Sequence, residues 1–548
     1  MNDSSADRLR QAIAQHQQGD LAGAEVEYRQ ILAQAPDNAE ARNALGILHL
    51  QRGDSTAASE QFRIAAELAP ETAKYHSNLG SACLARGDGP GAIGAFEAAT
   101  ACEPGNAEFL ANLATARMSQ GDGDGAEQNF RRALKLAPTH AMALNNLGGM
   151  LSRQNRLPEA AELLQRAAAL LPDGDETHLN LASVLERLNR LPEAEAALSA
   201  VRRTQAPAAI MLRARLLRRQ GEAAAALRLL DQVPLSEVAA RGQELLGDWQ
   251  QEIGLAADLC QDPGRAFEAF LAAKTAWRQA ASKPDDAGEA YLAHVRRLRR
   301  TDVEPTPASA TAASPLRLAF LAGFPRSGTT LLEVMLGAHP QVRTTEERDL
   351  LAPLLGADGK PLQCGLAAAY RAAADAQMGK LPADTLLLDK LPLNLVHCRT
   401  IDASLPGARL LVALRDPRDV VLSCLMQRFR YTPAMANFDA LGSAVSLYEE
   451  VMGLWLEVRN ELRLPVFEYR YEDLVSDWRG TVSAILDFLD LRWDDKMETY
   501  REQTREITVI TPSYRDVAEP LTERARGRWH RYRTELAPVL PRLERFMV

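Results

Sequence analysis

Near the middle of the 548-residue chain an octet, Gly323-Phe-Pro-Arg-Ser-Gly-Thr-Thr330, joins one apolar run, residues 316–322, to another, residues 331–336. The first run suits a buried parallel strand and the second a helix, so the octet is the turn between them. A turn of this kind surrounds a phosphate with main-chain N–H groups at the positive end of the helix dipole. Gly323 and Gly328 stand where a phosphate loop has its glycines, and Arg326 supplies positive charge from inside the turn. Ser327, Gly328, Thr329 and Thr330 close the loop, with Thr329 and Thr330 as hydroxyl donors. A nucleoside triphosphatase needs lysine at the position of Thr329 to reach the β- and γ-phosphates. The loop therefore suits a single 5′-phosphate and disfavours kinase-like chemistry. A second strand-like run, residues 409–415, ends at Arg415-Asp-Pro-Arg-Asp419 and leads into a helix that carries Ser423.

Pro325-Arg-Ser-Gly-Thr-Thr-Leu331, followed by Leu336-Gly-Ala-His-Pro340, resembles the opening of the sulfotransferase fold, and of tyrosylprotein sulfotransferases in particular. The resemblance covers residues 316–548. It implies 3′-phosphoadenosine 5′-phosphosulfate (PAPS) as sulfate donor, PAP as product and no metal. Arg415 and Ser423, eight residues apart, resemble the family's 3′-phosphate clamp, in which a guanidinium fork at a strand end meets a hydroxyl two helical turns on. Tyr471 follows a third strand-like run and by the same resemblance would lie beside the adenine; packing alone is the other reading. Arg524-Ala-Arg-Gly-Arg-Trp529 is similar to the Gly-x-Trp segment that closes over the nucleotide. There Arg524, Arg526 and Arg528 would reinforce the 3′-phosphate site, against the alternative of a solvated basic helix end.

Sulfuryl transfer needs one oxygen deprotonated and charge stabilised on another. In the tyrosylprotein family the base belongs to a Glu-Glu pair preceded by Val-Arg, a pattern that Val342-Arg-Thr-Thr-Glu-Glu347 repeats. The resemblance thus implies Glu347 as general base, with Glu346 the fallback; the bland alternative is an exposed acidic pair opening a helix. Residues 386–392 resemble that family's strand-end lysine segment, so Lys390, with Arg326, would take up leaving-group charge, unless it is a surface lysine before a turn. Two positions depart from the family pattern. Gly527 replaces a serine, and Gln427 replaces an arginine one turn after the clamp serine, leaving Arg428 or the arginines of 524–528 to compensate. The implied acceptor is a protein or peptide tyrosine, with a small molecule, a saccharide, or a scaffold that binds nucleotide without turnover as alternatives.

These side chains require an α/β frame, a mostly parallel sheet flanked by helices, over residues 316–548. Ahead of it lies a different architecture. A pattern returns about six times at a shift of about 34 residues, the period of the tetratricopeptide (TPR) helix-turn-helix unit. Turn residues recur at Gly19, Gly53, Gly87, Gly121, Asn155 and Asn189, and prolines at Pro36, Pro70, Pro104, Pro138 and Pro172. Alanines at 24, 58, 92, 126, 160 and 194 each precede Tyr28, Phe62, Phe96, Phe130, Leu164 or Leu198 by four positions, which puts a small and a large residue on one helix face. Residues 5–235 thus resemble a TPR solenoid, whose concave groove by that resemblance would hold protein or peptide segments, the acceptor being one candidate; dimerisation or spacing is the other use. Residues 236–300 stay helical in pattern, with Ala266-Phe-Glu-Ala-Phe270 as a degraded repeat or docking segment, and residues 301–315 read as a Pro/Ser/Thr/Ala linker.

Composition agrees with a folded chain of more than one domain: 46% hydrophobic, 25% charged, net charge −9. The acidic balance gives no reason to expect nucleic acid. The six cysteines lack zinc-ligand spacing and read as reduced thiols. No run approaches the ~18 apolar residues of a membrane span, and the polar N-terminus lacks a signal core, so the expected residence is cytoplasmic. The oligomeric state is not readable.

Overall fold

Six times in the first 204 residues two helices follow one another across a residue held at positive φ. The six turn residues are Gly19, Gly53, Gly87 and Gly121, at φ of 77–89°, and Asn155 and Asn189, at 65° and 61°. Only Gly, and at some cost Asn, enters this left-handed region cheaply. After four of the turns an aspartate, Asp20, Asp54, Asp88 or Asp122, accepts from the main-chain N–H three residues on and caps the second helix. Small and large residues interlock in three of the repeats. A Cβ added to Gly46 would stand 2.6 Å from the Phe62 ring, one on Gly80 2.8 Å from Phe96, and one on Gly148 2.7 Å from Leu164. That close approach explains why a glycine recurs sixteen residues before a bulky side chain. The residues described are 2–281, 286–301, 303, 317–363, 365–382, 384–500 and 525–547 of this computed structural model. Most of the segment read as a linker, 301–315, and Arg524 lie outside them.

The chain divides into two compact units, Met1–Thr204 and Gln205–Val548. The first is the helical TPR-like array. The second begins with further helices, among them Gln243–Leu259 and Pro263–Ala281. In this pair a Cβ on Gly254 would meet the Phe270 ring at 2.6 Å, again sixteen residues on, so the repeat geometry persists here. Ala266 and Phe270 are buried in the same cluster as the sheet residues Leu318, Phe320 and Leu410. The segment therefore packs in the core beside the sheet.

Among the described residues the sheet has five parallel strands: β1 (Arg317–Gly323), β2 (Val342–Thr344), β3 (Leu386–Lys390), β4 (Arg409–Leu414) and β5 (Val466–Arg470). Their order is β2-β3-β1-β4-β5. Strand β1 is central and buried from Leu318 to Gly323, which is why it reads as an unbroken apolar run. The chain moves outward on one side of β1 and then returns to build β4 and β5 on the other. The crevice at the carboxyl ends of β1 and β4 is therefore the topological switch point, where open α/β sheets bind ligands. Among the described residues no helix is long and apolar enough to cross a membrane.

Candidate active site

Strand β1 runs into the glycine loop, which opens the helix Thr329–Gly337. Gly328, at φ 100°, precedes that helix, and a Cβ there would lie 2.6 Å from the Tyr471 ring. Both its backbone angle and the tyrosine behind it exclude a side chain. Arg326 adopts φ 70° without being glycine, which costs about 1–2 kcal/mol. Its Nε donates to Ser423 Oγ at 3.0 Å, so the loop arginine and the helix serine meet. Ser327, Thr329 and Thr330 are buried, and Ser327 Oγ has no hydrogen-bond partner among the described residues.

At the end of β3 Lys390 is fully buried. Its Nζ lies 2.9 Å from Glu333 Oε2, pairs with Glu347 Oε1, and donates to Thr330 Oγ1 at 3.4 Å. One ammonium thus ties β3 to the loop helix and to the segment after β2. That segment is held by Thr345, wholly buried, whose N–H donates to Leu388 O and whose hydroxyl accepts from Lys390 N, at 3.1 and 3.0 Å. Glu346 and Glu347 follow at φ 52° and 64° in a turn, and no helix begins with them. Among the described residues, three of the seven non-glycine residues at positive φ are therefore Arg326, Glu346 and Glu347, and strain of this kind gathers where function over-determines the backbone. Glu346 pairs with Arg348 at 3.5 Å and stays away from the lysine.

Arg415, at the end of β4, donates from Nη1 to Arg326 O at 2.9 Å and from Nη2 to Ala525 O at 2.6 Å. Its guanidinium lies 4.4 Å from the centre of the Tyr471 ring, which is sandwiched between that arginine and Gly328. Lost hydration presses the Arg415 pKa below the usual arginine value, and its Nε has no partner among the described residues. Ser423 lies on the helix Pro417–Leu425. The segment after Ala525 is fixed by Asp419, which accepts from the N–H groups of Gly527 and Trp529 at 2.7 and 2.8 Å. Arg526 is exposed. Arg528 turns to Asp258 at 2.5 Å, and Arg428 to Glu244 at 2.8 Å, so both are engaged by the preceding helices.

Residues 319–495 match the model of the sulfotransferase family. This chain carries a sulfotransferase-family domain. Residues 3–217 match the C-terminal domain of cilia and flagella-associated protein 70, and residues 207–232 the tetratricopeptide repeat. Among relatives, protein-tyrosine sulfotransferase 2 of Gallus gallus is 25% identical over 41% of this chain and 68% of its own length. Protein-tyrosine sulfotransferase of Drosophila melanogaster is 26% identical over 39% and 46%. An uncharacterized protein of Aquifex aeolicus is 25% identical over 41% and 32%. The chain thus spans from about a third to about two thirds of the length of these relatives. Solved structures similar to it include MamA, at 22% identity and TM-score 0.29 over 31% of this chain and 93% of that one, and Pseudomonas aeruginosa PilF, at 22% and 0.33 over 35% and 89%.

The sulfotransferase domain's loop fits an anion by its own atoms. Ser327 Oγ and Arg415 Nε are buried polar atoms without a partner among the described residues, and buried polar groups are rarely left so. Beside the lysine cluster a cavity of about 350 Å³ is lined by Glu333, Arg343, Glu346, Arg348, Met378 and Tyr500, among others. Glu333 joins the two, since its carboxylate also holds Lys390.

Glu333 is the residue that sequence reasoning missed. The one acid in the run Thr329–Gly337 was its only signal. A second such group is Asp389, wholly buried on the opposite face of β3 from Lys390, bonded by Tyr370 Oη and by Asn394 Nδ2 at 3.3 Å. Burial above all raises its pKa to about 7, while the Tyr370 bond lowers it. A carboxyl raised on folding contributes stability that is complete below its unfolded value, near 4, and is lost as pH rises through about 7. Denaturant midpoints of the parent and of Asp389→Asn, measured from pH 5 to 8, should therefore converge or cross by roughly 1 kcal/mol per pH unit. Parallel curves would show that Asp389 does not titrate there.

Proposed function

We propose that this chain transfers a sulfuryl group from PAPS to a hydroxyl, most specifically to tyrosine on a protein or peptide. The observation that carries the reading is the Lys390 ammonium, set between the Thr330 hydroxyl of the anion loop and the carboxylates of Glu333 and Glu347. When bound, the donor supplies an activated sulfuryl group on a phosphate leaving group. The residues of the chain do the rest. Main-chain N–H groups and hydroxyls of residues 326–330 would hold the donor's 5′-phosphate, and Arg415 with Ser423 its 3′-phosphate. Tyr471, pinned against Gly328, gives the adenine side an aromatic wall.

Glu347 is placed to accept the proton of the acceptor hydroxyl. Its carboxylate is about one-third exposed where that of Glu333 is buried, so it can meet an incoming acceptor. Lys390, buried, and Arg326 would bring positive charge to the leaving oxygen, where charge held away from bulk water is most effective. The adjoining cavity, about 350 Å³, has room for a phenol side chain. The TPR-like array supplies a protein-binding module, in keeping with a protein acceptor.

The test offers ³⁵S-labelled PAPS with mixtures of tyrosine peptides, simple phenols and glycans. Label on tyrosine peptides is expected, with no requirement for magnesium. Label confined to phenols or glycans would move the acceptor class, and magnesium-dependent ATP hydrolysis with no label on any acceptor would overturn the reaction.

A further inference from the structure

We infer that the helix pair Gln243–Leu259 and Pro263–Ala281, which precedes the matched sulfotransferase region, is a built-in part of the donor site, with Lys274, Gln251 and Asp258 as positioning residues. The inference rests on the donor-site reading above.

The helix Pro417–Leu425 carries Ser423 and is nine residues long, too short to be stable alone. The last four carbonyls of any helix lack partners within it, and burial makes each one costly. Here one of them, Cys424 O, and the two carbonyls just past the helix, Met426 O and Gln427 O, take donors from another layer. Lys274 is buried, and its Nζ donates to Gln427 O at 2.5 Å and to Cys424 O at 3.4 Å. Gln251 Nε2 donates to Met426 O at 2.8 Å. A fixed ammonium at the negative end of the helix dipole adds to these bonds. Cys424 is the residue after Ser423, so the bonds set the serine hydroxyl that meets Arg326.

The opposite wall is tied to the same two helices. Asp258 on the first of them is nearly buried and accepts from Tyr532 Oη at 2.6 Å, with Arg528 and Arg531 at 2.5 and 3.2 Å. Those three residues follow directly on Ala525 and Gly527, which Arg415 and Asp419 hold from the sheet side. One buried cation and one buried anion on adjacent helices thus grip two segments that share no strand of the sheet. Packing alone would be served by apolar residues, since a buried charge is retained at a net cost unless its geometry is used.

The experiment compares the full-length parent with Lys274→Met and Asp258→Asn, and with two milder variants, Gln251→Ala and Tyr532→Phe, that each remove one hydrogen bond. Calorimetry with PAP and steady-state kinetics are read together. Loss of a buried bond of this class predicts PAP binding and the KM for PAPS weakened about 10-fold in Lys274→Met and Asp258→Asn. The mild variants should weaken both by about 3-fold. The acceptor KM should stay within about 2-fold, a split that general destabilisation would not give. Should the stronger variants fail to fold, the mild pair carries the same comparison. Amide hydrogen exchange without ligand gives a second reading: faster exchange at residues 420–427 and 525–532 is expected. Folded variants with parental PAP affinity, or with parental exchange in both segments, overturn the inference. A parent that binds no PAP refutes the donor-site reading instead, and exchange still decides whether the helix pair positions these segments.

Discussion

Replacing Lys390 with alanine should lower kcat by about 10³-fold while PAP affinity stays within about 3-fold of the parent, because a charge aimed at the leaving oxygen acts chiefly in the transition state. Glu347→Ala should match it to within about tenfold, since loss of a general base costs about 10²–10⁴. The two losses should not add, because the residues act as one unit joined by an ion pair. Folding is the obvious confounder for Lys390. Its side chain is wholly buried, and removing it strands the carboxylate of Glu333, a loss of about 3–5 kcal/mol. The double variant Lys390→Met with Glu333→Gln removes both buried charges and should recover most of that stability. Turnover should remain lost. Glu347 is easier to interpret, because its partly exposed carboxylate leaves Lys390 paired with Glu333 when it is removed. Parental turnover in Glu347→Ala would take that residue out of the chemistry, and recovery of turnover in the double variant would do the same for Lys390. Single-turnover rates, melting temperatures and PAP calorimetry on the same preparations separate these outcomes.

The repeats were legible because their constraints are local and recur. A Gly or Asn at a left-handed turn leaves a mark at one position that the period repeats six times, and a glycine against a bulky side chain adds another at Gly46, Gly80 and Gly148. The anion loop was legible for a similar reason: Gly328 answers to its own backbone and to Tyr471, and no other residue type satisfies both. What sequence could not disclose depends on partners far along the chain. Glu333 reads as one more residue of an apolar helix until the sheet order sets β3 beside β1 and brings Lys390 over it. Lys274 and Asp258 carry no local pattern that singles them out, and their partners lie about 150 and 270 residues away. Arg428 and Arg528, attractive as phosphate ligands by position alone, are turned aside by Glu244 and Asp258, acids that no local pattern connects to them. Charge without geometry is a weak guide to a phosphate site.

Arg415 offers the sharper test of the donor site, because its charge and its shape can be separated. Two arms of its guanidinium are spent on carbonyls, Arg326 O in the loop and Ala525 O in the C-terminal segment, while its face covers Tyr471. It therefore assembles the pocket as well as charging it. Arg415→Ala should weaken PAP binding by about 10²-fold, the scale of a charge-assisted bond plus the ordering it imposes. Arg415→Lys keeps the charge but has no planar fork to reach both carbonyls, so it should still bind about 10-fold more weakly than the parent. If charge alone mattered, the lysine variant would bind like the parent and weaken steeply with salt, as screened point charges do. If the fork matters, the lysine variant stays weak at every ionic strength, and its amides at residues 525–529 exchange faster because Ala525 O has lost its donor. Parental affinity in Arg415→Ala would place the 3′-phosphate elsewhere and leave this arginine a purely structural brace between the loop and the C-terminal segment.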